Sequence, residues 1–131
     1  MRITFNCDPT PKQRPRLTKS GIAFTPKKTR IAEAAIKYEL RQKWNHDALD
    51  GPVSVTLDFY IQKPKSVPKK RVLPIVKPDL DNLIKLVLDG CNRIVFRDDS
   101  LICKLIARKH YVDKDTPGCI EMSVSPMEET Y

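Results

Sequence analysis

Val53-Ser-Val-Thr-Leu-Asp-Phe-Tyr-Ile-Gln62 alternates without a fault. Val53, Val55, Leu57, Phe59 and Ile61 take turns with Ser54, Thr56, Asp58, Tyr60 and Gln62, the period of two that gives a strand one apolar and one polar face. Asp50-Gly51-Pro52 breaks the chain before it. After it comes a basic, proline-rich loop of sixteen residues, Lys63 to Pro78, longer than ordinary connections, and loops of that length tend to carry function or to move. A helix is predicted from about Asp79 to Cys91, with Leu80, Leu83, Ile84, Val87, Leu88 and Cys91 as its inner stripe. Upstream, Arg2 to Cys7 reads as a first strand. Pro9, Pro11 and Pro15 exclude a helix between Asp8 and Arg16, and Leu17 to Phe24 reads as a hairpin turning at Ser20-Gly21. A helix from about Lys27 to Asn45 places Ala32, Ile36, Leu40 and Trp44 on one face. Downstream, Ile94 to Phe96, Leu101 to Val112 and Cys119 to Val124 read as strands, with Asp113 to Gly118 as a hairpin loop between the last two. This order predicts an α+β fold, a single domain over residues 1–131 with two main helices packed on a small mixed β-sheet.

The chain has 131 residues, with 24 Lys+Arg against 16 Asp+Glu and a formal charge of +8. Its 40% apolar residues suffice for a core, and 31% charged residues without a low-complexity tract argue against disorder. No run reaches the ~18 apolar residues of a membrane span. Met1-Arg-Ile-Thr-Phe-Asn6 lacks the apolar region of a secretory signal, so the expected location is the cytoplasm, with no membrane partner. Cys7, Cys91, Cys103 and Cys119 form no Cys-x-x-Cys pair, and His46 and His110 stand alone. This pattern predicts reduced thiols, several of them buried in strands, rather than a zinc site.

The basic residues are segregated. Between Asp8 and Glu33 there is no acid but there are seven cations: Lys12, Arg14, Arg16, Lys19, Lys27, Lys28 and Arg30. Six more, Lys63, Lys65, Lys69, Lys70, Arg71 and Lys77, lie between Asp58 and Asp79, again without an acid. Most sit in loops, whereas a solvated helix mixes its charges, so phosphate contacts explain them better than solubility. Lys12, Arg14, Arg16, Lys27, Lys28, Lys69, Lys70, Arg71 and Lys77 are the expected phosphate contacts. Tyr60, Phe96 and Tyr111 are better read as core or strand-face residues than as base wedges.

Against this background Lys77-Pro-Asp-Leu-Asp-Asn-Leu-Ile-Lys85 is anomalous, because two carboxylates close a basic loop. Asp79 sits where the helix cap belongs and Asp81 in the first turn. On a continuous helix they would diverge by about 200°, but with Asp79 outside the helix they can converge. A second pair, Asp98-Asp99, follows Ile94 to Phe96. The same residues have a purely structural use. Asp79 would cap the helix for about 1 kcal/mol, Asp81 would pair with Lys85 for a few tenths, and Asp98-Asp99-Ser100 would turn the chain. That use describes a non-catalytic basic nucleic-acid-binding protein. If the pairs converge, carboxylates ~5 Å apart repel by ~3 kcal/mol at an effective dielectric of 20, and a hard divalent cation removes that cost.

The Asp-Leu-Asp-Asn-Leu-x-Lys run at 79–85 and the Asp-Asp pair at 98–99 resemble the RusA-type Holliday junction resolvases in identity, order and separation. Pro11-Lys-Gln-Arg-Pro-Arg16 and Phe24-Thr-Pro26 resemble the N-terminal part of phage members, so the resemblance runs from about Pro9 to Val112. It implies an endodeoxyribonuclease acting on branched DNA in recombination and repair, as a homodimer and with a prophage or phage origin. It also implies Mg2+ as cofactor, with Mn2+ as a substitute, and no small-molecule cofactor. By the same resemblance Asp79, Asp81 and Asp99 are the metal ligands, Asp98 is an adjacent acid, and Lys85 is the catalytic lysine. Pro78 stands where some members hold an arginine, which passes that DNA contact to Lys77 or the upstream lysines.

Overall fold

Strand β4 (Val53–Gln62) follows its alternation residue by residue: Val53, Val55, Leu57 and Phe59 are fully buried, and the intervening side chains face outward half-exposed. The structure is a computed structural model that describes residues 1–129. In it β4 is an inner strand of a four-stranded sheet ordered β1 (Arg2–Phe5), β6 (Cys119–Pro126), β4, β5 (Ile102–Val112). It pairs parallel with β5, from Val53 with Ile102 to Gln62 with Val112, and antiparallel with β6. The sheet is therefore mixed. Helices α1 (Lys27–Lys43) and α2 (Leu80–Cys91) pack together on one face, closing a core that includes Phe5, Ile36, Leu40, Leu83, Phe96, Ile120 and Met122. A separate hairpin joins β2 (Arg16–Leu17) to β3 (Ala23–Phe24), with Gly21 at φ 83 in its turn. The α+β class and the two helices are as the sequence predicts.

Three local expectations need correction. The last two strands form no hairpin: β5 and β6 flank β4 on opposite sides, and the connection 113–118 arches over the end of β4, where Gln62 donates to the Lys114 carbonyl. An inner strand with two open edges takes a neighbour on each, and strand spacing alone does not say which. Ile94 to Phe96 is a turn rather than a strand. The Ile94 and Val95 amides return to the Cys91 carbonyl, and only Phe96 bridges, to Leu49 and Asn92. Arg93, at φ 67, makes that reversal. The inner stripe of α2 is also rotated: Leu83, Leu86, Val87, Gly90 and Cys91 are buried, while Leu80, Ile84 and Leu88 are only half-buried.

Contact with α1 causes that rotation. A Cβ on Gly90 would lie 2.7 Å from Ile36 Cγ2, and Ile36 is fully buried. Gly90→Ala therefore sets a helix-propensity gain of about 1 kcal/mol against overpacking of about 1–3 kcal/mol. The expected outcome is a net loss of about 1 kcal/mol, read as a lower urea midpoint at unchanged m-value.

All four cysteines are free. The most buried, Cys91, lies on α2 rather than in a strand, and burial pushes its thiol up to about 12. Cys7 follows β1, and burial, aided by Glu39, raises it to about 11. Among the described residues no helix is long and apolar enough to cross a membrane.

On the open face of the sheet, Arg108 Nε donates to Asp58 Oδ1 at 2.8 Å, and His110 Nε2 lies 2.7 Å from the same oxygen. The hydrogen bond from Arg108, assisted by His110, holds the Asp58 carboxyl below its usual range against the opposing effect of burial. A depressed folded-state pKa gives stability that is present above the unfolded value and lost as pH falls through the folded one. Asp58→Asn should thus cost about 1 kcal/mol at pH 7, with the gap to the wild type closing at an acid pH below the lowered folded-state value. Urea melts at the two pH values measure both numbers.

Candidate active site

The β4–α2–β5 unit joins parallel strands, so α2 runs back along the sheet and its two ends lie at opposite edges. Its N-terminus lies where β4 and β5 finish. There Lys109 of β5 donates through Nζ to the carbonyls of Val76 at 3.1 Å and Pro78 at 3.0 Å. Its C-terminus lies where both strands begin, near the Phe96 bridge. The twelve residues of α2 separate these ends by about 18 Å.

Asp79 and Asp81 stand at the first end. Asp79 immediately precedes the helix in an extended conformation, φ −70 and ψ 140. Its carbonyl accepts from Leu83 at 3.2 Å, but its carboxylate makes no capping hydrogen bond. The structural use foreseen for that side chain is thus not the one it has. Asp81 is exposed in the first turn, with Oδ1 accepting from the Asn82 amide at 2.9 Å. Lys85 is not its partner: Lys85 Nζ turns to Asp89 at 3.2 Å, one turn onward, and its side chain stays 60% exposed.

Both carboxylates border a cleft of about 890 Å3, whose lining includes Arg14, Arg16, Lys77 and Asn82. The opposite wall is the proline-rich segment 9–16, fixed to the helices at several points. The Lys12 amide donates to the Asn82 carbonyl at 2.9 Å, and the Gln13 amide to the buried Thr29 hydroxyl at 3.1 Å. Lys12 Nζ is paired with Glu33 of α1 and with Asp89 of α2, the latter at 3.2 Å. Partial burial disfavours that ammonium, but the two carboxylates outweigh it and raise its pKa. At the root of the segment Gly118 admits the chain, since a Cβ there would lie 2.7 Å from the Tyr60 carbonyl and 2.8 Å from Asp8 Oδ1.

The cations expected at phosphates therefore divide. Lys12 already has its counter-charges and serves as a brace. Arg14, Arg16 and Lys77 line the cleft. Lys27 and Lys28 are exposed in the first turn of α1, and Lys69, Lys70 and Arg71 are exposed in the long loop. Sequence reasoning missed Glu33 and Asp89 as the anchors of Lys12. The i+4 spacing of Lys85 and Asp89 was a legible signal for that pair, but nothing along the chain ties either acid to Lys12.

Asp98 and Asp99 are at the other end of α2. Asp98 caps a short 3-10 turn (Asp99–Leu101) by accepting from the Ser100 amide at 3.0 Å. That bond, with Arg93 and Arg97 nearby, holds its carboxyl below the usual range. Asp99 is half-buried. The two acidic pairs do not meet within one chain, and among the described residues no three His, Cys, Asp or Glu side chains gather closely enough to hold a metal ion.

Comparison with known proteins agrees with these motifs. A Bacillus subtilis (strain 168) protein described as "Uncharacterized protein YqaN" is 27% identical over 127 residues, covering 87% of this chain and 89% of its own. The family model described as "Endodeoxyribonuclease RusA" matches residues 6–123, a span that contains the cleft, both acidic pairs and most of the basic residues. The chain belongs to the RusA endodeoxyribonuclease family.

Proposed function

We propose that this protein is a Mg2+-dependent, structure-selective endodeoxyribonuclease that resolves four-way (Holliday) DNA junctions by paired, symmetric phosphodiester hydrolysis, acting in recombination and repair in the cytoplasm. One observation carries most of the support. Asp79 and Asp81 border a cleft that also holds Arg14, Arg16 and Lys77, and the Asp79 carboxylate is not used as a cap. A cleft meant only to grip phosphate is weakened by two carboxylates, whereas metal-assisted hydrolysis needs them.

The donor set suits the ion. Mg2+ is commonly bound through one or two carboxylates together with substrate phosphate and waters, and Asp79 and Asp81 offer two hard oxygen donors. Mn2+ accepts the same set. When bound, such an ion lowers the pKa of a water molecule and offsets charge on the phosphate. The chain's own residues do the rest. Arg14, Arg16 and Lys77 hold the phosphates flanking the scissile bond, and the free N–H groups of the first α2 turn orient its oxygens. Lys85, largely exposed one turn along the helix, leaves Asp89 to meet charge developing on the phosphate. Lys27, Lys28, Lys69, Lys70 and Arg71 follow the backbone of the arms.

A homodimer completes the site. Leu80, Ile84 and Leu88 repeat at i+4 on the α2 flank opposite Asn82, Leu86 and Asp89, and they are only half-buried. Beyond them lies β5, an edge strand with Leu105 exposed. An isologous contact through this flank, with the two-fold axis crossing the helices, sets two α2 helices antiparallel. The N-terminus of each then lies beside the C-terminus of the other, and Asp98 and Asp99 of one protomer approach Asp79 and Asp81 of its partner. Two such sites per dimer match two symmetric cuts.

The test is cleavage of a labelled four-way junction and a linear duplex of the same arm sequence, with Mg2+ or with EDTA. Paired nicks confined to the junction with Mg2+ are expected. Equal cutting of both substrates would remove the junction selectivity, and binding without cutting under Mg2+ or Mn2+ would leave a basic architectural protein.

A further inference from the structure

Directly before the acidic pair, the long loop presents four large apolar side chains to solvent. Val72 is 77% exposed, Leu73 59%, Ile75 67% and Val76 58%, with only Pro74 between them buried. Runs of this kind are rare on a soluble surface unless something covers them in use. The segment is held rather than loose. Lys63 Nζ donates to the carbonyls of Lys69 at 3.0 Å and Arg71 at 2.7 Å, and the Arg71 amide returns to Pro68 at 3.0 Å. At the far end Lys109 grips the Val76 and Pro78 carbonyls. Backbone polar groups are thus satisfied on both sides of an apolar tip.

The neighbours of that tip point to nucleic acid rather than to protein. Lys69, Lys70, Arg71 and Lys77 flank it, and among the described residues none of the four has a carboxylate within 4.0 Å. Interfaces between proteins are depleted in lysine at their cores, and four unmatched cations around a buried apolar contact would repel. Beside DNA each cation finds a phosphate, and apolar side chains of this size act as wedges between base steps. Of the aromatics weighed as base wedges, Phe96 is fully buried, Tyr60 stacks on His110 and Tyr111 lies under Lys63, while the exposed Phe24 belongs to the separate β2–β3 hairpin.

We propose that the Val72–Val76 tip is a wedge that enters the branch point of the bound junction and unstacks the base step beside the scissile phosphate. This rests on the junction-cleaving reading above. A branch point offers steps that are already weakly stacked, so insertion costs less there than in a continuous duplex. The wedge would thereby couple recognition of the branch to placement of the phosphate against Asp79 and Asp81, two and four residues beyond Lys77.

The experiment uses full-length protein in EDTA with a junction carrying 2-aminopurine either at the branch point or in mid-arm. Wild type is expected to raise branch-point fluorescence and leave the mid-arm signal unchanged. Leu73→Ser/Ile75→Ser, and separately Val72→Ser/Val76→Ser, should bind the junction within a few-fold of wild type while losing that rise. In Mg2+ the same variants should lose preference for the junction over duplex. Three results with the variants overturn the wedge: an undiminished rise in both, loss of the rise with Leu17→Ser/Ile22→Ser in the hairpin instead, or a shift of dimer to monomer in sedimentation, which would make the tip a protomer contact. Wild type that binds the junction with flat fluorescence removes the wedge alone. Wild type that does not bind it removes the functional reading as well.

Discussion

Asp81→Asn should lose junction cleavage by at least about a thousandfold while binding the junction as well as wild type or a few-fold better. The two halves of this expectation come from different parts of the cleft. Binding rests on Arg14, Arg16, Lys77 and the loop cations, none of which touches Asp81, and replacing a carboxylate by an amide removes repulsion toward phosphate. Cleavage rests on the hard oxygen donors, and an amide is a much poorer ligand for Mg2+ than a carboxylate. The fold survives the change. Asp81 is exposed, its only hydrogen bond is to the adjacent amide, and an acid in a first helical turn is worth about 0.3–1 kcal/mol. Gel-shift titration in EDTA and single-turnover cleavage in Mg2+ give both numbers on one preparation. Wild-type cleavage by Asp81→Asn would return the carboxylate to an ordinary helix-start role, and parallel loss of binding would mean the cleft itself had collapsed.

The sequence was most readable where a residue's environment depends on its neighbours along the chain. The alternation from Val53 to Gln62 reported an inner strand, and the i+4 series of α1 reported a buried face. It was least readable where the answer depends on which distant element arrives. Ile84 and Leu86 are both good core residues, and only the closeness of Gly90 to Ile36 decides that Leu86 turns inward. Asp81 and Asp89 are both one turn from Lys85, and the pairing goes to Asp89, which also meets Lys12. The acid-free stretch 12–30 was visible as a charge pattern, but Glu33 and Asp89 are sequence-distant from Lys12 and claim it in space. The same limit applies to the acidic pairs. Residue types and order suggested one cluster, whereas the parallel β4–α2–β5 connection separates them by the length of a helix.

That separation has a consequence that a mixing experiment reads without ambiguity. Asp81→Asn and Asp99→Asn proteins, each inactive alone, should regain nicking when mixed and allowed to exchange protomers. If a site takes Asp79 and Asp81 from one protomer and Asp99 from the other, a dimer of the two variants contains one site with both substitutions and one with neither. Random exchange puts half the protein in such dimers, so the mixture should nick at about a quarter of the wild-type site concentration, as an isologous pair requires. Each such dimer has a single working site, so it nicks one strand and does not release resolved duplexes. A site built within one chain gives the opposite result, since every chain in the mixture lacks one ligand and no dimer has a complete set. Asp79→Asn mixed with Asp81→Asn is the internal control. These two residues belong to the same end of α2, so neither arrangement restores a complete site and the mixture should stay inactive. Recovery in the first mixture with silence in the second would assign the two ends of α2 to different protomers of one site. Silence in both, with protomer exchange confirmed by a size-tagged chain, would put all the essential carboxylates in the site of one chain, whereas nicking by Asp99→Asn alone would confine the chemistry to Asp79 and Asp81 and leave Asp98 and Asp99 as the cap and start of the turn before β5.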